Sequence, residues 1–154
     1  MKLYKIKKSN IDNKGLYAAK NIKAKKIIIH YIGKIISKKE TERNSKYDND
    51  KAIYLFNLNN RYDLDGDFEY NYARLINHSC KPNCEVGGKG LKLWIFALRD
   101  IKIGEELSYD YGFGYDKDYK QFVCKCGAKN CVGYIVREGS RWRIKKVRSA
   151  SVSR

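Results

Sequence analysis

The sequence predicts a mainly β domain of irregular topology. Two observations carry that reading. β-Branched and aromatic residues gather in short runs, and Gly, Asn and Asp turn signals separate one run from the next. No internal repeat organises the runs. At 154 residues the chain makes one domain, or one domain with a small appendage. A chain of this size buries about two-thirds of its unfolded surface and needs no disulfide scaffold. A hydrophobic content of 43% agrees with a globular fold.

Taken in order, residues 1–8 alternate weakly and read as a strand or arm. In Ser9-Asn10-Ile11-Asp12-Asn13-Lys14-Gly15, both Asn13 and Gly15 tolerate positive φ, so a tight loop is expected before a short strand at Leu16–Ala18. Residues 20–25 form a connection. Lys26–Ile36 is rich in isoleucine with Tyr31 and reads as strand, with Gly33 marking a bulge or a close backbone approach. Ser37 with Glu40 three residues on has capping-box spacing, which predicts a charged helix over Ser37–Arg43.

Asp48-Asn49-Asp50 is a turn, Tyr54–Leu58 a strand, Asn59-Asn60 a turn and Arg61–Leu64 a further strand. Asn71–Ile76 fits one helical turn. Gly87–Gly90 is expected to be a hairpin loop. Leu91–Leu98 is the strongest strand, apolar enough to be buried on both faces. Gly104 turns the chain into Glu105–Tyr111. After Gly112 periodicity fades, and the end, from Arg137 to Arg154, is basic.

The formal charge is +16, from 33 Lys+Arg against 17 Asp+Glu. This balance suits acidic partners such as nucleic acid or chromatin; a lysine-rich solvated surface gives the same number. No stretch reaches the length of a membrane span, and the start of the chain has no apolar run of signal-peptide length, so no membrane association is expected.

Five cysteines without a secretory signal point to reduced thiols or a metal. Cys124-x-Cys126-x4-Cys131 places three thiols within eight residues around Gly127. A structural Zn²⁺ site closes with four ligands, and closely spaced thiolates repel one another without a cation. By spacing alone Cys80 and Cys84 are both candidates for the fourth. Tyr109-Asp110-Tyr111 sets two phenols on one side of an extended strand. Such a pair either packs in the core or lines a narrow channel for a cation and its alkyl stem.

Asn77-His78-Ser79-Cys80-Lys81-Pro82-Asn83-Cys84 and Glu105-Glu106-Leu107-Ser108-Tyr109-Asp110-Tyr111 together resemble the two signatures of SET-domain protein lysine methyltransferases. Cys124-x-Cys126-x4-Cys131 resembles their post-SET motif. Asn13–Ala19, followed by Tyr31-Ile32-Gly33, is similar to their N-terminal half. The likeness runs from about residue 3 to about residue 135 and is nearest the trithorax-type subgroup, which has a post-SET but no pre-SET.

The resemblance implies several small β-sheets with a knot-like C-terminal threading, and a division into a SET domain at 1–116, a post-SET zinc segment at 117–136 and a basic tail at 137–154. It implies methyl transfer from S-adenosylmethionine to a lysine ε-amine on a protein, a histone tail first, with an inert chromatin- or nucleic-acid-binding module as the alternative. Carried over, Lys14, Gly15, Leu16, Tyr17, Arg74, Asn77, His78 and Tyr111 hold the cofactor. Tyr111 is the catalytic tyrosine, and Tyr31, Tyr54 and Tyr109 complete an aromatic channel. Tyrosine rather than phenylalanine at position 109 implies a mainly monomethyl product. Cys80 joins Cys124, Cys126 and Cys131 as Zn²⁺ ligands, leaving Cys84 a buried thiol. Two positions depart from the family pattern: Asn13 where glycine is usual, and Tyr70 before Asn71 where glycine is common. The subgroup implies accessory subunits and a nuclear or chromatin location, in a host nucleus if the source is viral or bacterial. The basic tail is read as a contact to nucleosomal DNA.

Overall fold

The computed structural model of the chain describes residues 2–47 and 54–144. It is built from short strands in four small sheets, with one short α-helix and several 3-10 turns. The turn expected at Asp48–Asp50 lies outside the described residues.

β1 (Tyr4–Lys8) and β2 (Lys14–Ala18) form an antiparallel hairpin, with Tyr4 opposite Ala18 and Lys8 opposite Lys14. Of the two residues expected to take positive φ, only Asn13 does, at 50°. Asparagine tolerates this region because its short polar side chain makes local hydrogen bonds. Leu16, Tyr17 and Ala18 are buried.

The isoleucine-rich run does not form one strand. It divides into β3 (Ile27–Tyr31) and β4 (Lys34–Ser37), which belong to different sheets. Gly33 lies at the break. A Cβ there would stand 2.0 Å from the Asp65 carbonyl oxygen, so any side chain would collide with backbone. The close approach expected of Gly33 is present, and it ends the strand rather than bulging it.

β4 pairs with β6 (Tyr62–Asp65), which also pairs with β5 (Leu55–Asn57). Between β4 and this pair sits α1 (Lys38–Arg43), whose first turn is capped as its sequence predicts. The Glu40 amide donates to Ser37 Oγ at 3.2 Å.

β3 also pairs with β9 (Lys92–Ala97), and β9 pairs with β8 (Cys84–Lys89). Gly87 and Gly88 are not loop residues; they lie within β8 opposite Trp94 and Leu93. The turn is Gly90-Leu91, with Gly90 at φ 64°. The expectation that β9 is buried on both faces holds only in part: Ile95 and Ala97 are buried, while Leu93, Trp94 and Phe96 are half-buried. A three-stranded sheet in a small domain has too little cover for both faces.

The last pairing is short and parallel. β7 (Asn77–His78) runs beside β10 (Ser108–Tyr109), placing Asn77 against Ser108 and His78 against Tyr109. A 3-10 turn over Tyr72–Leu75 delivers the chain to β7, as the helical turn expected there would. Ile22 and Ile101 exchange backbone hydrogen bonds of 2.8 Å, and the Leu107 amide donates to Leu16 O at 2.8 Å. These bonds bind the segment leading into β10 to the N-terminal hairpin. The core joins all four units: Leu16, Ile28, Leu64, Ile76, Ile95, Ile101 and Leu107 share one buried cluster with Tyr31 and Tyr109.

Candidate active site and thiol cluster

The buried apolar cluster holds the two tyrosines that matter most. Tyr31 at the end of β3 is 2% exposed and Tyr109 in β10 is 3% exposed. The Phe56 ring bridges them, 4.6 Å from Tyr31 in an edge contact and 6.1 Å from Tyr109. Tyr111 continues the series with its ring 4.9 Å from Tyr109, as residues two apart on an extended chain should. Tyr54 closes the other side, its carbonyl accepting from the Tyr31 hydroxyl at 3.1 Å.

Two depressions meet at this cluster. One is a cavity of about 870 Å³ lined by Lys14, Tyr54, Arg74, Asn77, His78 and Tyr111, with Phe122, Val123 and Cys124 as one wall. The other, of about 620 Å³, is lined by Leu55, Phe56, Asn57, Gly112, Phe113, Tyr119 and again by Tyr111 and Phe122. Tyr111 is thus a shared wall of both. The remaining residues expected at a cofactor site, Gly15, Leu16 and Tyr17, do not line the first cavity and are buried in β2.

Tyr31 and Tyr109 are buried and line neither depression, and the electrostatics of the aromatic cluster are those of neutral groups. Burial pushes the phenol pKa values of Tyr31, Tyr109 and Tyr111 well above the ordinary tyrosine value, and neighbouring phenols push the same way. The Tyr111 hydroxyl donates to Ile76 O at 2.7 Å. His78 is driven down to about 4 by burial, with Arg141 adding to the effect and Asp110 opposing it. Its imidazole is therefore neutral at pH 7. Nδ1 accepts the Tyr111 amide at 3.0 Å, so the proton sits on Nε2, which lies 3.6 Å from Cys80 Sγ. One side chain in this way fixes the backbone of Tyr111 and faces a thiol.

That thiol belongs to the second constellation. The Sγ atoms of Cys80, Cys124, Cys126 and Cys131 all lie within 4.8 Å of one another, and Cys80 and Cys124 are 3.9 Å apart. Zn–S bonds of about 2.3 Å in a tetrahedron put sulfurs about 3.8 Å apart, so the donor set fits Zn²⁺. Backbone amides support the sulfurs: Cys80 and Ala128 donate to Cys126 Sγ at 3.5 Å, and Gly133 donates to Cys131 Sγ at 3.3 Å. Burial opposes ionisation of Cys126, yet these amides and its neighbours bring it down to about 7. Cys124 is pushed far up by its hydrogen bond with Cys80 and by burial. Cys84 lies apart, 1% exposed, its thiol donating to Asn83 Oδ1 at 3.3 Å and raised to about 12 by burial.

The structure adds residues that reading by sequence missed. Glu106 is central to the loop beside the first cavity. Its Oε1 accepts from Ser9 Oγ at 2.5 Å and from Asn77 Nδ2 at 3.1 Å, and its Oε2 from the Tyr17 hydroxyl at 3.2 Å. A Cβ on Gly15 would meet that carboxylate at 2.4 Å, which explains the glycine there better than any φ requirement. Asn77 Nδ2 also lies 3.0 Å from Asp12 O and 3.1 Å from Lys14 O, so it gathers the whole loop. The glutamate pair before Leu107 was the available signal. Phe113 and Phe122, ring to ring at 4.8 Å, flank Tyr111; the two-residue spacing from Tyr111 to Phe113 was the signal for the first.

Comparison with known proteins agrees with this geometry. The profile of the SET domain matches residues 13–112. Human histone-lysine N-methyltransferase 2D is 40% identical over 130 residues, 80% of this chain and 2% of the human protein. Histone-lysine N-methyltransferase trr of Drosophila melanogaster is 41% identical over 131 residues, 80% of this chain and 5% of that one. The Saccharomyces cerevisiae histone-lysine N-methyltransferase described as H3 lysine-4 specific is 41% identical over 137 residues, 83% and 13% of the two chains. The chain therefore spans only a small part of the length of these relatives. With a profile match across most of its β-sheet body and both signature segments converging on one aromatic cluster, the chain belongs to the SET-domain family.

Proposed function

We propose that this domain transfers a methyl group from S-adenosylmethionine to a lysine ε-amine of a protein, a histone tail first, and stops mainly at monomethyl-lysine. The observation that carries the reading is Tyr111, which walls two separate depressions at the end of a buried aromatic channel. Such an arrangement suits two reactants that enter from different sides and meet through a narrow opening. The relatives carry histone-lysine methyltransferase in their names, which makes histones the first substrate class to test.

The first cavity is of the size that ligand pockets occupy, about 300–1,000 Å³. Lys14 and Arg74 bring positive charge to it and Asp12 and Glu69 negative charge, while Leu75 and Phe122 are apolar. A zwitterionic amino-acid end joined to a flat aromatic end matches that mixture. S-Adenosylmethionine, when bound, supplies a methyl group activated by a sulfonium. Asn77 and Glu106 keep the Asn13–Gly15 loop in place for it.

The phenols then act by position. With their pKa values raised they stay neutral and cannot take the proton of a lysine at neutral pH. The amine, ordinarily protonated with a pKa of about 10.4, loses its proton to water as it is desolvated. Because the Tyr111 hydroxyl spends its proton on Ile76 O, its oxygen is an acceptor for the electron-poor methyl. Alignment of the amine by Tyr31, Tyr54 and Tyr109 supplies much of the rate. Zn²⁺ on Cys80, Cys124, Cys126 and Cys131 would hold residues 117–136 against β7, keeping Phe122 as a wall of both depressions.

This reading implies a chromatin location and accepts accessory subunits. A contact to nucleosomal DNA rests on Lys145, Lys146, Arg148 and Arg154. Removing residues 145–154 is expected to lower the salt dependence of nucleosome binding.

Labelled methyl transfer to core histones tests the function directly. Tyr111→Phe is expected to lower kcat by about a hundredfold while the protein stays folded. Absence of transfer to histones and to every other protein offered would leave the domain a binding module.

A further inference from the structure

Among the described residues of the C-terminal basic segment, one cation does not face solvent. Arg141, in the 3-10 turn Glu138–Arg143, is 7% exposed, and its neighbour Ser140 is 4% exposed. Its guanidinium is fully engaged on three sides. Nε donates to Val136 O at 2.9 Å, Nη1 to Cys80 O at 3.0 Å and Nη2 to Asp110 Oδ2 at 2.8 Å. A buried arginine with this many charge-assisted bonds is a fixed joint, because the planar fork allows one orientation.

The two segments it joins matter. Cys80 follows β7 and carries a thiol of the cluster. Asp110 stands between Tyr109 and Tyr111. Its Oδ1 accepts the Gly112 amide at 2.8 Å, and its Oδ2 also accepts the Glu138 amide at 3.1 Å. The Arg137 amide donates to Phe113 O at 2.8 Å. Residues 137–141 thus grip the stretch 110–113 through the Asp110 carboxylate and the Phe113 carbonyl. β10 ends at Tyr109, so no sheet pairing holds this stretch.

We infer that the turn Glu138–Arg143 is a built-in brace of the active site, in which Arg141 is a positioning residue acting on Tyr109 and Tyr111 through Asp110. The inference rests on the methyltransferase reading for its kinetic arm only. Arg141 touches no reactant; its effect is on where the phenols stand. A displacement of about 1 Å at a reacting centre costs up to about a hundredfold in rate. Nothing in the basic composition of the segment distinguishes Arg141 from the exposed Arg143 two residues on, and the brace needs only the first.

The test uses the full chain with Arg141→Ala, Arg141→Lys, Asp110→Asn and, as the control, Arg143→Ala. Steady-state kinetics and hydrogen exchange of peptides covering residues 106–114 are both read. Expected for Arg141→Ala is a loss of about tenfold in kcat with KM for the histone peptide within about twofold, the pattern of lost alignment rather than lost binding. Amide exchange at 110–113 should rise about tenfold while the β3-β9-β8 sheet keeps its protection. Arg141→Lys keeps the charge without the fork and should recover only part of either signal. Arg143→Ala should match the wild type. If Arg141→Ala fails to fold, Arg141→Lys and Asp110→Asn decide by the same two readouts. A folded variant set with unchanged kcat and unchanged exchange at 110–113 overturns the brace, as does exchange that rises equally across the whole chain. A wild-type protein that transfers no methyl group overturns the functional reading instead, and the exchange arm still judges the brace.

Discussion

The aromatic cluster and the thiol cluster meet at His78, yet they are held by opposite means. Tyr31 and Tyr109 come from strands whose partners fill the apolar core, and Tyr111 rests on Ile76 and His78. Their positions follow from burial, hydrogen bonds and the Arg141–Asp110 pair, all of which the folded chain provides without a metal. In the cluster only Cys80 is buried; Cys124, Cys126 and Cys131 are half-exposed. The loop that carries them is closed by few backbone bonds, among them Cys124 N to Gly133 O at 2.9 Å and Ile135 N to Phe122 O at 2.8 Å. One region keeps its geometry through packing. The other depends on side-chain chemistry and, where the four thiolates bind Zn²⁺, on the cation.

Metal removal should separate the two most strongly. Structural zinc contributes on the order of 10 kcal/mol of apparent binding free energy in small domains, far more than the loop's backbone bonds can replace. Chelation is therefore expected to expose residues 117–136 to rapid amide exchange and to lower methyl transfer by at least about a hundredfold. The β3-β9-β8 sheet and Tyr31 should stay protected. Activity that survives complete zinc loss, verified by metal analysis, would break the link between cluster and channel.

The next effect is on pH dependence, and it belongs to the channel. Folding raises the pKa of Tyr109 and Tyr111, so their protons are held to higher pH than in the unfolded chain. Neither phenol ionises in the range where the substrate amine begins to lose its proton. kcat/KM should rise by up to about tenfold per unit between about pH 7 and pH 9, following the fraction of neutral lysine. A profile that turns down below about pH 9 would mean that a phenol titrates early, and the channel would then be wetter than its burial implies.

The same contrast governs what could be read from the sequence. The strands were legible because β-branched runs and turn residues act locally: β2, β5, β6 and the Ser37 cap fall close to where the residues put them. The split of Lys26–Ile36 was not, because it depends on Asp65 lying against Gly33 from a distant strand. Gly87 and Gly88 read as a loop, yet cross-strand pairing with Trp94 and Leu93 keeps them in β8. At the site, Asn77, His78, Tyr109 and Tyr111 stand out by their resemblance to the family's two signatures; the two-residue spacing of Tyr109 and Tyr111 by itself leaves core packing open. The choice of Cys80 over Cys84 came from family resemblance, and spacing alone left it open. Arg141 was lost among the other cations of a basic tail. Its role is defined by burial and by partners 31 and 61 residues away, which composition does not reveal.

The smallest expected effect is also the one most specific to the channel. Tyr109 is almost wholly buried, its ring 4.9 Å from Tyr111 and 6.1 Å from Phe56. Tyr109→Phe removes one oxygen and leaves the ring packing intact, so stability should change by no more than about 1 kcal/mol. The space gained is less than that of a methyl group, but on the proposed reading it lies where a lysine already carrying a methyl turns to accept another. The first transfer should continue at close to its original rate, and the second should quicken by about tenfold, equivalent to about 1.4 kcal/mol in the barrier. Mass spectrometry of a peptide driven to completion reads this as a shift from monomethyl to dimethyl and trimethyl product. A wild-type enzyme that already runs to trimethyl-lysine would remove the steric role of Tyr109, while the cluster's dependence on its cation would stand unaffected.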